Sequence, residues 1–149
     1  MTTTATNFAS LRQIEAEVLT LLRRARRSYA ENARLVHPEL STAGYAVLLQ
    51  VAEHEPTRAA DVVDHLDMDK GSVSRQVSHL EQIGLVSRVG HPEDGRVHHL
   101  VLSDDGRRRV AALRRHRRQK FEDRLASWSP EDLEVFAQQL VRYNAALER

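Results

Sequence analysis

The chain contains no cysteine. Disulfides, thiolate metal sites and thiol-based redox sensing are therefore excluded within its 149 residues. It also has no long apolar run. The longest nearly apolar stretch, Tyr45–Ala52, is interrupted by Gln50 and falls far short of the roughly 20 residues that a membrane span requires. The opening MTTTATNFAS has no basic region followed by an apolar core, so no signal peptide is expected, no membrane partner either, and a soluble cytoplasmic protein is. There is no glycine-rich phosphate loop, no metal triad and no thiol nucleophile, and an enzyme is not expected. His79 with Ser72 or Ser74 is the nearest approach to a hydrolase pair, but these residues share one exposed helix face without a cleft. The eight histidines form no HxxxH or HxxE pair, so no metal site and no other cofactor is expected. The formal net charge is only +1, and bulk charge says nothing about nucleic acid; its distribution says more.

The informative stretch runs from Thr57 to Leu102. Within it, KGSVSRQVSHLEQIG at Lys70–Gly84 places Val73, Val77, Leu80 and Ile83 at steps of four, three and three, which is one helical face. Another face carries Ser72, Arg75, Gln76 and His79, with Ser74 close by and no acid before Glu81. Short hydroxyls, an arginine, an amide and an imidazole can bond base edges or phosphates without like-charge repulsion from DNA; an ordinary solvated face has the same composition. Upstream, Arg58–Leu66 reads as a short helix with Thr57 as its N-cap and Ala59, Val62, Val63 and Leu66 on one side. Asp69 can cap the following helix after a short connector. Two short helices with a tight turn, the second polar on one face, make a helix-turn-helix. Leu85–Val89 and Val97–Leu102 read as strands around the turn-forming GHPEDGR, which adds a wing. His98 and His99 are adjacent in a strand and point to opposite faces, so they cannot pair on a metal by themselves.

With these pieces in place the chain resembles the MarR family of bacterial transcription regulators, from Leu11 to its C-terminus. The most specific part is the wing pattern D-x-R-x-x-x-x-x-L-[ST]-x-x-G, carried by Asp94, Arg96, Leu102, Ser103 and Gly106. The run SVSRQVSHLEQIGLVSR is also typical. Serine at position 103, where the family often has threonine, is a mild departure. The resemblance implies a mainly α fold (α+β) in a single domain over residues 1–149, with a winged helix-turn-helix lobe at 41–106 and a helical dimerisation lobe from helices at 8–35 and 120–149. It implies a homodimeric repressor that binds a pseudo-palindromic operator in double-stranded DNA and is released by a small aromatic or anionic effector. The alternative is a ligand-independent or architectural DNA-binding protein. The expected DNA-binding set is Lys70, Ser72, Ser74, Arg75, Gln76 and His79 at the major groove, Arg96 in the adjacent minor groove, and Asp94 holding Arg96 or Arg88 in place.

The flanking helices fit that scheme. Leu11, Ile14, Val18, Leu21 and Ala25 form a heptad-like seam, and Leu133, Phe136, Leu140, Tyr143 and Leu147 form another. Trp128 and Phe136 are expected to pack. Ser41 is the expected N-cap of a helix whose buried face includes Tyr45, Leu48, Leu49 and Ala52. In the resembled family the effector pocket lies in this region, which makes His37 and Tyr45 candidate effector residues. The other reading makes Tyr45 a core residue with its hydroxyl at the surface. Ser103 is the expected N-cap of a fifth helix, followed by Asp104 and Asp105 in its first turn. Arg107–Lys120 then holds eight basic residues and no acid. Arg107–Arg109 would supply long-range attraction to DNA. Arg114, Arg115, Arg117 and Arg118 would bind an anionic effector, pair with acids, or stay solvated. Arg117 falls on the apolar stripe of Val110, Leu113, Phe121, Leu125 and Trp128, where a lone buried charge is costly. It is therefore expected to have an acidic partner, to line a polar effector pocket, or to lie at a protomer–protomer cleft.

Overall fold

The structure, a computed structural model, describes residues 2–90, 94 and 97–147, the side chains from residue 7 on. The elements are α1 (Thr2–Val36), α2 (Thr42–His54), α3 (Ala59–Leu66), α4 (Lys70–Gln82), β1 (Val86–Gly90), β2 (His98–Leu102), α5 (Asp104–Leu125) and α6 (Pro130–Leu147). They fall into two compact units, Met1–Leu113 and Arg114–Arg149.

The first unit holds the core. Val73, Val77 and Leu80 of α4 are fully buried, together with Tyr45, Leu48 and Val51 of α2, Val62 of α3, Leu85 just before β1, and Leu100 of β2. The four-and-three spacing read from the sequence is thus the packed face. Each such side chain removed from water contributes about 1.5–3 kcal/mol. The two strands pair antiparallel, with Val86 opposite Leu102, Arg88 opposite Leu100 and Gly90 opposite His98.

The turn from α4 into β1 explains the Gly84-Leu85 pair. Gly84 has φ +75°, a left-handed conformation that glycine adopts without a Cβ penalty. The Gly84 N–H donates to the Glu81 carbonyl (3.1 Å) and the Leu85 N–H to the Leu80 carbonyl (2.9 Å), the two bonds of a Schellman end. Ser103 then locks α5 onto this turn. Its Oγ donates to the Gly84 carbonyl (2.5 Å) and accepts the Gly106 N–H (2.9 Å), the capping role expected of it, while its own N–H donates to the Leu85 carbonyl (3.0 Å).

Thr57 corrects an expectation. It is not the cap of α3; that position is Arg58. Thr57 is buried and forms an isolated bridge with Leu100. Its N–H donates to the Leu100 carbonyl (3.2 Å) and its carbonyl accepts the Leu100 N–H (2.7 Å), so its backbone is committed to the sheet edge. Asp61 closes the start of α3 instead, accepting the Arg58 N–H (3.3 Å) and two bonds from the guanidinium (3.1 and 3.1 Å). That pairing holds the Asp61 carboxyl below its ordinary value.

Large apolar side chains remain uncovered in each unit. On α1 they include Leu11, Ile14 and Leu21; in the second unit they include Phe121, Val135, Phe136, Leu140 and Leu147. No residue of α6 is buried. Trp128 and Phe136 do pack, with ring centroids 5.3 Å apart.

Candidate nucleic-acid interface

Burial of Val73, Val77 and Leu80 fixes the rotation of α4 about its own axis. At about 100° per residue, the side opposite these three falls on Gly71, Arg75, Ser78 and Gln82, with Ser74 beside them, and all five are exposed. Lys70 is exposed at the N-terminal end. Asp69 caps the helix, accepting the Ser72 N–H (2.8 Å). It also accepts the Ser72 hydroxyl (2.5 Å), and the Arg75 guanidinium donates to the same hydroxyl oxygen (2.9 Å). Hydrogen bonds from Ser72 hold the Asp69 carboxyl below its ordinary value.

The expected reading face therefore divides. Ser74 and Arg75 stand on the exposed side. Gln76 and His79 are half-buried and turned toward the connector between α1 and α2. The Ser41 hydroxyl donates to Gln76 Oε1 (3.2 Å), and Ser41, the N-cap of α2 as expected, accepts the Gly44 N–H (2.9 Å). His79 Nε2 lies 3.1 Å from the Glu39 carbonyl oxygen; a carbonyl only accepts, so this nitrogen carries the proton. Ser72 is half-buried and bonded within its own helical turn. Ser78 was not singled out from the sequence, although the position opposite the buried valines marks it.

In the wing, Arg88 makes two bonds to Glu81 (3.0 and 3.0 Å), which hold it. This pairing also neutralises the acid that ends the polar run of α4. Asp94 is exposed, and its carbonyl accepts the Val97 N–H (3.0 Å). Arg96, its other expected partner, and His91 lie outside the described residues. His98 is exposed and His99 half-buried, in keeping with opposite faces of the strand.

At the start of α5 the basic cluster expected to attract DNA is paired with acids. Arg107 bonds both carboxylate oxygens of Glu55, one of which also accepts the Leu102 N–H (2.7 Å). Arg108 and Arg109 both pair with Asp105 (3.0 and 2.8 Å), and Arg109 also donates to the Val36 carbonyl (2.8 Å). These arginines tie α5 to neighbouring elements, and their charge is largely compensated.

The candidate effector residues are distributed between the units. Tyr45, in the first, is buried through its whole side chain, so its hydroxyl is not at the surface; its ring meets Tyr29 edge-on at 4.6 Å. His37 is half-buried, its Nδ1 accepting the Glu39 N–H (3.2 Å). Arg117, in the second unit, is exposed, so the expected cost of a buried lone charge does not arise within that unit. It lines a depression with Arg114, Arg118, Phe121 and Glu122. Among the described residues, no three His, Asp or Glu side chains are grouped to hold a metal ion, and no helix is long and apolar enough to cross a membrane.

Comparison with known proteins follows the same lines. Residues 40–97 match the MarR family. The chain is 31% identical over 133 residues to YxaD of Bacillus subtilis, an uncharacterized HTH-type transcriptional regulator, covering 89% of this chain and 92% of that protein. It is 30% identical over 83 residues to a second such regulator of the same organism, YdgJ, covering 56% of this chain and 51% of the other. Among solved structures, RV1404 from Mycobacterium tuberculosis superposes with a TM-score of 0.79 at 22% identity, covering 89% of this chain and 91% of that one. The MarR family transcription regulator SP03579 superposes with a TM-score of 0.78 at 20% identity, covering 97% and 96%.

Proposed function

The chain belongs to the MarR family of DNA-binding transcription regulators, and we propose that it acts as a homodimeric repressor of a pseudo-palindromic operator, released by a small aromatic or anionic ligand. Two copies of α4 would enter successive major grooves, with half-sites about one helical turn apart. The observation that carries the DNA-reading role is the exposed side of α4. It presents Ser74, Arg75 and Ser78, with Lys70 at its start and no unpaired acid on its exposed pole. Arg75 can pair with the O6 and N7 atoms of guanine, which is worth ~1–3 kcal/mol of discrimination. Ser74 and Ser78 suit phosphate oxygens or base edges. Gln76 and His79 support the helix from the side. Arg96 would enter the adjacent minor groove, with Asp94 holding it, as the resemblance implies.

Dimerisation is supported by the apolar residues left uncovered on α1 and α6, which continue the seams read from the sequence. An anionic ligand is supported by Arg114 and Arg117, which line a depression with Phe121 in the second unit, where Arg118 is paired with Glu122 (2.9 Å). Such a ligand changes DNA affinity only if it binds the DNA-competent and released states unequally.

The test is binding of the purified protein to a site selected from a random DNA pool, against scrambled DNA of equal length, at two salt concentrations. A specific complex with steep salt dependence is expected. Equal binding to both DNAs would replace the operator-reading repressor with an architectural binder, and the same assay screens aromatic acids for release.

A further inference from the structure

We infer that Asp69, Ser72 and Gly71 form a positioning device that aims the Arg75 guanidinium before DNA arrives, and that Ser72 acts through Arg75 rather than by touching DNA. The inference rests on the proposed role of Arg75 as a base-reading residue.

The geometry is directional. Asp69 Oδ2 has no proton to give, so the Ser72 hydroxyl donates to it at 2.5 Å. That leaves the lone pairs of Ser72 Oγ to accept from Arg75 Nη2 at 2.9 Å. The hydroxyl therefore has one proton direction and one acceptor direction, both set within the helix. The other Asp69 oxygen accepts the Ser72 N–H at 2.8 Å, so the carboxylate is held at both ends. With its pKa lowered by these bonds, Asp69 stays charged at neutral pH. The chain of contacts runs at positions i, i+3 and i+6, one side of the first two turns.

Gly71 supplies the space. A Cβ at that position would stand 3.2 Å from Asp69 Oδ1 and 3.4 Å from Arg75 Nη1. The guanidinium thus lies back over the first turn, beside a residue without a side chain. An arginine side chain has many rotamers, and restricting them in advance lowers the entropy lost on binding. A hydroxyl spent on this bond is also a poor phosphate ligand, because its only proton already points at Asp69.

The experiment compares wild type, Ser72→Ala, Ser72→Thr, Arg75→Ala and the double variant Ser72→Ala/Arg75→Ala. Each is measured on a site selected by the wild-type protein, on that site with each base pair changed in turn, and on scrambled DNA at two salt concentrations. Ser72→Ala keeps the backbone N–H that Asp69 caps, and circular dichroism checks that each variant is folded. We expect Ser72→Ala to weaken the selected site about tenfold and to relax discrimination at the one base pair whose preference Arg75→Ala also removes. Scrambled-DNA affinity and the salt slope should stay near wild type. Ser72→Thr should restore discrimination, and adding Ser72→Ala to Arg75→Ala should change nothing further. Two results overturn the inference while leaving the reading of Arg75 intact: equal loss on selected and scrambled DNA with a shallower salt slope, which marks a direct phosphate contact, or additive losses in the double variant. Wild-type protein that selects no site would overturn the base-reading role itself, and the inference with it.

Discussion

Replacing Gly106 with alanine puts a methyl group where the backbone of Leu85, in the turn before β1, already stands. A Cβ built at Gly106 lies 2.0 Å from the Leu85 carbonyl oxygen and 2.9 Å from its carbon. Carbon–oxygen contacts settle near 3.3–3.6 Å, so the start of α5 must withdraw by more than about 1 Å. No side chain can rotate out of the way, because the obstacle is backbone. Withdrawal breaks the Ser103–Leu85 and Ser103–Gly84 hydrogen bonds, at about 0.5–1.5 kcal/mol each. It also loosens Val110 and Leu113, both buried; overpacking of this kind costs about 1–3 kcal/mol. The gain in helix propensity from glycine to alanine, at most about 1 kcal/mol, offsets part. The net loss should be about 1–5 kcal/mol, a large fraction of the ~5–15 kcal/mol that holds a domain together. Urea denaturation at one fixed protomer concentration measures it, since dimer stability depends on concentration. Gly71→Ala is the internal control. Its Cβ meets side-chain atoms rather than backbone, 3.2 Å from Asp69 Oδ1 and 3.4 Å from Arg75 Nη1, and its stability should stay within about 1 kcal/mol of wild type. A Gly106→Ala variant within about 1 kcal/mol of wild type would refute the close-approach argument.

Arg75→Ala should abolish most specific DNA binding while the protein stays folded and dimeric; a folded variant with wild-type affinity for the selected site would remove Arg75 from the reading role. Leu140→Asp should give monomers or aggregates by sedimentation, and an unchanged dimer would place the interface elsewhere. Acid should weaken the Asp61–Arg58 pair. Its folded-state pKa is below the ordinary 3.8, so the contribution is complete at pH values above that and disappears as pH falls through the lowered value. Denaturation midpoints between pH 6 and pH 3 should fall less steeply for Asp61→Asn, and identical slopes would contradict the assignment.

Local signals carried most of the fold. Helical spacing marked the buried face of α4, and short polar residues marked the caps at Ser41, Asp69 and Ser103. The wing pattern includes Gly106 without showing why; the reason is the Leu85 carbonyl, which leaves no room there for a Cβ. What stayed hidden depends on partners far along the chain. Thr57 has the chemistry of a cap, but pairing with Leu100 decides its role. Arg107 looks like free basic charge until Glu55, 52 positions away, comes beside it. Gln76 and His79 sit at helical spacing with Arg75, yet the rotation set by Val73, Val77 and Leu80 turns them toward Ser41 and Glu39. The depth at which Tyr45 sits depends on Tyr29 of another helix, which no local pattern shows. Periodicity puts Arg117 on the stripe of Val110 and Leu113, but only those two are buried; Arg117 and Phe121, further along α5, are exposed.

The bonds from Ser41 to Gln76 and from His79 to Glu39 separate two kinds of position on one helix. Gln76 and His79 belong to the mounting, and changing them disturbs how α4 is seated. Ser74, Arg75 and Ser78 are exposed, away from the face packed by Val73, Val77 and Leu80, so substitutions there leave the seat untouched. A lineage that duplicates such a gene can therefore exchange these three side chains, and drift toward a new target sequence, without first finding a new way to fold.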